Sequence, residues 1–168
     1  MACTNTPIVK DQRHSGWKSF DSIDTTTLAQ WEPVDAQDLD FLSILESPNQ
    51  AFVVREFTVR ETATSAANIK KNDLNIYLYN TNAPTAPVEG SVYNPSTTEL
   101  VGVIEVVAAD YVRISDTVWE ARVTPDLYGI SDTSASSVDL YAVALFSNAS
   151  PTQYAASAEL AMKIVVEC

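Results

Sequence analysis

The chain has 168 residues, 46% of them hydrophobic and 19% charged, which are the proportions of a chain that folds around a core and exclude wholesale disorder. A formal net charge of -12, with a pI near 4.2, repels phosphate backbones and argues against nucleic acid as a partner of the whole domain. Four glycines are too few for a glycine-rich phosphate loop, and no apolar run approaches the ~18 residues of a membrane span, so neither a membrane partner nor a secretion signal is expected.

Residues 1–33 show no sustained period and read as an extended N-terminal arm. The first twenty residues carry a net charge of +2 and the next thirty a net charge of -7, a step that suits a docking arm or a solvated terminus. Trp17, Phe20 and Trp31 stand in this segment as isolated large apolar residues, the kind that anchor an arm on its own domain or on a neighbour. On this reading, removal of residues 1–33 leaves a folded domain. Residues 34–50 form a linker region, "VDAQDLDFLSILESPNQ". It reads as a short helix or turn, with Asp35 as a cap and Leu39, Leu42 and Leu45 on one face. A poorer match to period two would make residues 39–46 an additional strand.

From Ala51 to Cys168 the pattern is that of a β-domain. In "AFVVREFTVR", Phe52 and Val54 fall on one face and Phe57 and Val59 on the other, a change of phase that predicts a bulge or a strand crossing between sheets. "DLNIYLYN" alternates, with Leu74, Ile76 and Leu78 inward and Asn75, Tyr77 and Tyr79 outward. "ELVGVIEVVAA" is apolar on both faces, as a central strand would be. "DYVRISD" contributes Val112 and Ile114, and "TVWEARVTP" places Trp119, Ala121 and Val123 together. "VDLYAVALFS" is apolar on both sides, and "AELAMKIVVE" ends the chain with Leu160, Met162, Ile164 and Val166 inward. Clusters of Pro, Asn, Ser and Asp separate these runs, among them "TPDLYGISDTSASS". Seven short strands with no helical period between them predict an all-β, antiparallel β-sandwich, Ig-like or, with an eighth strand, a jelly roll.

The chemistry of a reaction is hard to place on this pattern. His14 is the one histidine and lies in the unpatterned leader. With two remote cysteines, Cys3 and Cys168, it cannot build a zinc site of the usual composition. No nucleophile elbow, phosphate loop or dinucleotide fingerprint occurs. Asp35, Asp38 and Asp40 cluster, as do Asp126 and Asp132 around a glycine, but neither group has the ligand spacing of a calcium loop. No catalytic residue, metal ligand or cofactor is therefore expected, and the chain reads as a non-enzyme. The outward Tyr77 and Tyr79 form an amphipathic patch of the sort enriched at protein interfaces. With Trp17, Phe20 and Trp31 they are the candidate partner-binding residues, unless a second layer covers them.

The phrases "DLNIYLYNTNAPTAP", "YNPSTTELVGVIEV", "ADYV" and the closing "PTQYAASAELAMKIVVE" resemble small virion structural proteins of tailed bacteriophages, especially marine short-tailed ones, of the head-decoration or knob type. The resemblance spans Phe52 to Glu167 and rests on loop-and-strand phrases with no diagnostic residue. It implies a small β-sandwich made in the host cytoplasm and bound to the outside of the capsid through its N-terminal region. The implied partner is the major capsid protein, alongside self-association, and no catalytic residues come with it. A tail-associated adaptor, fibre or host-glycan-binding module is the alternative it leaves open.

Overall fold

Strand periodicity in this sequence is realised as two antiparallel sheets packed face to face. The computed structural model describes residues 11–20, 23, 29–82, 85–88, 90–132, 138–154, 156 and 159–168. In chain order the strands are β1 (Gln12–His14), β2 (Lys18–Ser19), β3 (Leu39–Phe41), β4 (Ala51–Thr62), β5 (Leu74–Tyr79) and β6 (Leu100–Val106). They continue with β7 (Tyr111–Arg113), β8 (Val118–Val123), β9 (Leu127–Ile130), β10 (Leu140–Phe146) and β11 (Leu160–Glu167). The larger sheet runs β1-β11-β4-β8-β7, with β2 also paired to β11 and β9 to β4; the smaller runs β3-β10-β5-β6. All pairings between named strands are antiparallel. The chain is thus an all-β sandwich.

The core is made by the faces that the alternation assigns inward. Leu160, Met162, Ile164 and Val166 of β11 and Leu74, Ile76 and Leu78 of β5 are fully buried, and Phe41 meets Phe57 edge to face with ring centroids 6.1 Å apart. Burial of each such side chain is worth roughly 1.5–3 kcal/mol, so these positions carry much of the stability. The phase change in β4 is a bulge. Val165 pairs with Glu56 and Val166 with Val54, leaving Arg55 as the extra residue. That one insertion restores the inward phase, so Phe52, Val54, Phe57 and Val59 all reach the same core. At the same point the partner on the other side of β4 changes from β8 to β9.

Several expectations are corrected. Residues 39–41 form strand β3 on the edge of β10, not a helix, because Leu39 and Phe41 alternate with the exposed Asp40. Asp35 does accept a local bond, from the Gln37 amide at 3.1 Å, but the chain turns there without starting a helix. Strand β6 is an edge strand, not a central one. Its second apolar face is covered at Leu100 by a tyrosine cluster and left exposed at Val103. In β7 the inward residue is Tyr111, while Val112 and Ile114 face solvent.

Residues 11–20 are not a free arm. Strands β1 and β2 extend the larger sheet on β11, and Phe20 and Ile23 are buried in the core. Trp31 donates its amide to the Phe146 carbonyl at 2.7 Å, Val34 to Ala144 at 2.8 Å, and Phe146 in turn donates to Glu32. This segment therefore prolongs the β3 edge of the smaller sheet. Residues 1–10 lie outside the described residues, and with them Cys3 and any bridge to Cys168.

One end of the sandwich is closed by a buried carboxylate. Glu61 Oε2 accepts the amides of Lys70 and Lys71 at 2.9 and 2.8 Å, and Oε1 accepts the Tyr154 hydroxyl at 2.6 Å and the Asn72 amide at 3.4 Å. Asn72 is itself paired with the backbone of Thr152 through both its side-chain amide atoms. Burial pushes the hydroxyls of Tyr154 and Tyr111 well above their ordinary value of 10, with nearby Glu61 adding to both. The neutral phenols belong to the folded state and the unfolded chain ionises near pH 10. These groups therefore leave stability untouched below pH 10 and lower it as pH rises further. In an alkaline titration followed by tyrosinate absorbance, the buried tyrosines, Tyr111 and Tyr154 with the equally buried Tyr79, should ionise only together with a cooperative loss of near-ultraviolet circular dichroism. Ionisation of all seven tyrosines ahead of unfolding would contradict this.

Candidate docking surface

The five residues singled out from the sequence separate into two groups. Phe20 and Tyr79 are core side chains and present no surface to a partner. Tyr79 does leave the inner face of β5, as its alternation requires, but residues of the following loop cover it. Tyr93 packs on it, and Tyr79 donates to the Ser96 carbonyl at 3.3 Å while Tyr93 donates to that of Thr85 at 2.8 Å. Burial raises the hydroxyl pKa of both. Tyr77 lies half-buried beside this cluster. The covering layer is thus the loop between β5 and β6, not the N-terminal segment.

Trp17 docks on its own domain. The Arg60 guanidinium carbon lies 3.8 Å from its ring centroid and Lys163 Nζ 5.2 Å, which fixes the indole on the outer face of the larger sheet between β4 and β11. Arg60 is held from the other side by Glu120 at 2.8 Å. Trp31 is the one member of the five that is well exposed, at 39%. Its backbone adopts a left-handed turn (φ 68°) that lets its carbonyl accept the Tyr93 amide at 2.9 Å.

A pair of exposed apolar side chains lies elsewhere, on β9. Tyr128 is 73% exposed and Ile130 57%. Register explains why. Leu127 pairs with Val54 and Gly129 with Phe52, both inward positions, so Tyr128 and Ile130 must point out, opposite Val53 and Ala51. Gly129 is needed because the Phe52 ring stands 2.5 Å from where a side-chain carbon would begin, and Gly102 likewise makes room for Leu127. The outward residues surround a hollow of about 570 Å3, lined by Ala51, Val53, Tyr128, Ile130 and Cys168 and walled by Glu167. Apolar side chains grouped in this way on the outer face of a sheet make it a candidate contact surface.

Charge frames the hollow. Arg55, the bulged residue, bonds Glu167 through Nε at 2.9 Å and Asp126 through Nη1 at 2.7 Å, and the two carboxylates push its basicity higher still. Arg13 bonds Glu46 at 3.0 Å. Burial raises the Cys168 thiol, and Glu46 adds to the shift. Strand β9 escaped sequence reasoning because four residues between Asp126 and Ser131, interrupted by a glycine, look like a turn. The available signal was the alternation of Tyr128 and Ile130 with Leu127 and Gly129.

The aspartates 35, 38 and 40 surround a separate polar hollow with Lys18 and Gln37. Among the described residues, no group of three or more His, Cys, Asp or Glu is arranged to hold a metal ion, and no helix is long and apolar enough to cross a membrane. No protein-family model matches the chain, and no curated protein sequence matches it significantly.

Proposed function

We propose that the chain is a non-enzymatic structural protein of a tailed-phage particle that decorates the outside of the capsid, with the major capsid protein as its partner. The observation that carries a docking role is the exposed pair Tyr128 and Ile130 on a sheet whose underside is locked into the core. Aromatic and aliphatic side chains held on a rigid strand lose little conformational entropy on binding, which is what an attachment surface needs. The net charge of -12 suits a surface turned to solvent better than one lining a DNA-filled interior. The virion assignment rests on the likeness of the loop-and-strand phrases between Phe52 and Glu167. What supports attachment through the β9 face rather than the N-terminal segment is that Phe20 is consumed by the core and Trp17 by Arg60, which leaves Trp31 as the one well-exposed residue of that set.

Quantitative mass spectrometry of purified particles, referenced to the major capsid protein, tests this. A copy number comparable to that of the shell subunit is expected. A handful of copies per particle would overturn the head placement in favour of the tail-associated reading, and absence from clean particles would remove the virion reading.

A further inference from the structure

We propose that strand β7 pairs with β7 of a second copy of this chain, joining two of the larger sheets edge to edge about a two-fold axis at Val112. The surface lies on β7 and β8, apart from the β9 face, and the inference rests neither on that face nor on the virion assignment.

Strand β7 ends the larger sheet, and among the described residues no strand pairs with its outer side. Residues 112–116 are all exposed. In an antiparallel pair, directly opposed residues alternate between exchanging backbone hydrogen bonds and turning those groups away. The Ile114 amide donates to the Val118 carbonyl at 2.9 Å, so that pair is a bonded one. In the same register Val112 bonds Glu120, and Tyr111 and Arg113 turn their N–H and C=O groups to the open edge. Sheet edges are commonly blunted with proline or with charged side chains, lysine above all. Residues 111–114 include no proline or lysine, and their one charge, Arg113, is bonded to Asp116.

The register follows from what each alternative would bring face to face. Tyr111 against Arg113 of the second copy, and the reverse, makes two bonded pairs and sets Val112 against its own counterpart. Moving the axis to Arg113 would oppose two arginines, and moving it to Tyr111 would set Val112 against Asp110. Val112 is 63% exposed and Ile114 60%, both on the outer face beside Glu120, so the axis at Val112 gathers these side chains from both copies. Charge then favours a second copy over a charged partner. Asp110, Asp116 and Glu120 stand against Arg113 and Arg122, three acids to two bases, a net of -1 in a chain of -12. Each is engaged within its own chain: Arg113 with Asp116, Arg122 with Glu56, Glu120 with Arg60, and Asp110 with the Val107 amide. The acidic excess lies on other faces, so two acidic chains can meet at this edge with little local repulsion.

Analytical ultracentrifugation of the full chain from micromolar to millimolar concentration tests this. A three-residue strand makes a small interface, so a reversible dimer at the upper end of that range is expected. Added salt should strengthen it, by screening the repulsion between two chains of -12. Val112→Lys places two like charges at the axis. Arg113→Pro deletes the amide offered to the edge without touching the bonds to β8. Each should weaken the dimer about tenfold or more, whereas Arg113→Ala, which keeps the amide, should dimerise as the parent does. Both positions are exposed, and unchanged circular dichroism checks that the variants fold. A chain that stays monomeric at every concentration and salt overturns the proposal. So does a dimer that survives Val112→Lys or Arg113→Pro, that Arg113→Ala weakens as much as Arg113→Pro, or that the β9 double variant Tyr128→Ser/Ile130→Ser abolishes.

Discussion

A chain that begins at Val34 is expected not to fold. The missing segment carries β1 and β2, two short strands on the outer side of β11, together with Phe20 and Ile23 in the core. It also carries the bonds from Trp31 to Phe146 and from Phe146 to Glu32 that prolong the edge of the smaller sheet. Burial of Phe20 and Ile23 is worth roughly 1.5–3 kcal/mol each, a large share of the about 5–15 kcal/mol that holds a domain of this size together. The truncated chain should therefore be recovered aggregated or, if soluble, without a cooperative urea transition. Full-length Phe20→Ala separates the core contribution from the lost strands. It is expected to cost about 3–5 kcal/mol, read as a lower urea midpoint at unchanged slope. A truncated chain that is soluble and keeps the midpoint of the full chain would show the segment to be a separable arm.

The contrast with the sequence reading has a physical cause. Long strands bury a whole face, so their period is visible in one dimension: β5, β10 and β11 are legible from Leu74–Leu78, Leu140–Phe146 and Leu160–Val166. Even the bulge at Arg55 leaves a trace, because an extra residue must shift the phase of β4. The two- and three-residue strands β2 and β1 leave none. Lys18–Ser19 and Gln12–His14 are edge pieces whose pairing satisfies backbone groups with almost no side-chain signature, so a segment woven into the sheet looks like an arm. Outward alternation is similarly blind to what lies above it. Tyr77 and Tyr79 leave the inner face as read, but the fate of an outward tyrosine depends on where Tyr93 lands, fourteen residues after Tyr79. The β9 strand suffered the opposite error, since Gly129 made "DLYGISD" look like a turn when the glycine serves the ring of Phe52 beneath it.

Glu61 was invisible for a further reason: it occupies an inward position between hydrophobic neighbours, where a sequence pattern leaves no place for a charge. Its ligands come from two loops, and the carboxylate holds both to the end of the sheet. Glu61→Ala would leave the amides of Lys70, Lys71 and Asn72 and the Tyr154 hydroxyl without their acceptor, at a position only 1% exposed. A buried donor left without an acceptor costs about 1–3 kcal/mol, and with several donors orphaned together a loss of about 3–5 kcal/mol is expected in urea unfolding. Glu61→Gln should lose far less. With its oxygen in place of Oε2 it still accepts from Lys70 and Lys71 and its NH2 can donate to the Tyr154 oxygen, so only the long bond from the Asn72 amide is lost. Tyr154→Phe removes one donor and should cost about 1–2 kcal/mol, and less in the Glu61→Ala background, where the hydroxyl has already lost its partner. Hydrogen exchange gives the local readout: the amides of Lys70 and Lys71 should exchange faster in Glu61→Ala than in Tyr154→Phe, because only the first removes their acceptor. If Glu61→Ala stays within about 1 kcal/mol of the parent chain and those amides keep their protection, the two loops are held by apolar packing around Tyr154 and Phe146, whose rings stack 6.2 Å apart, and the carboxylate is incidental.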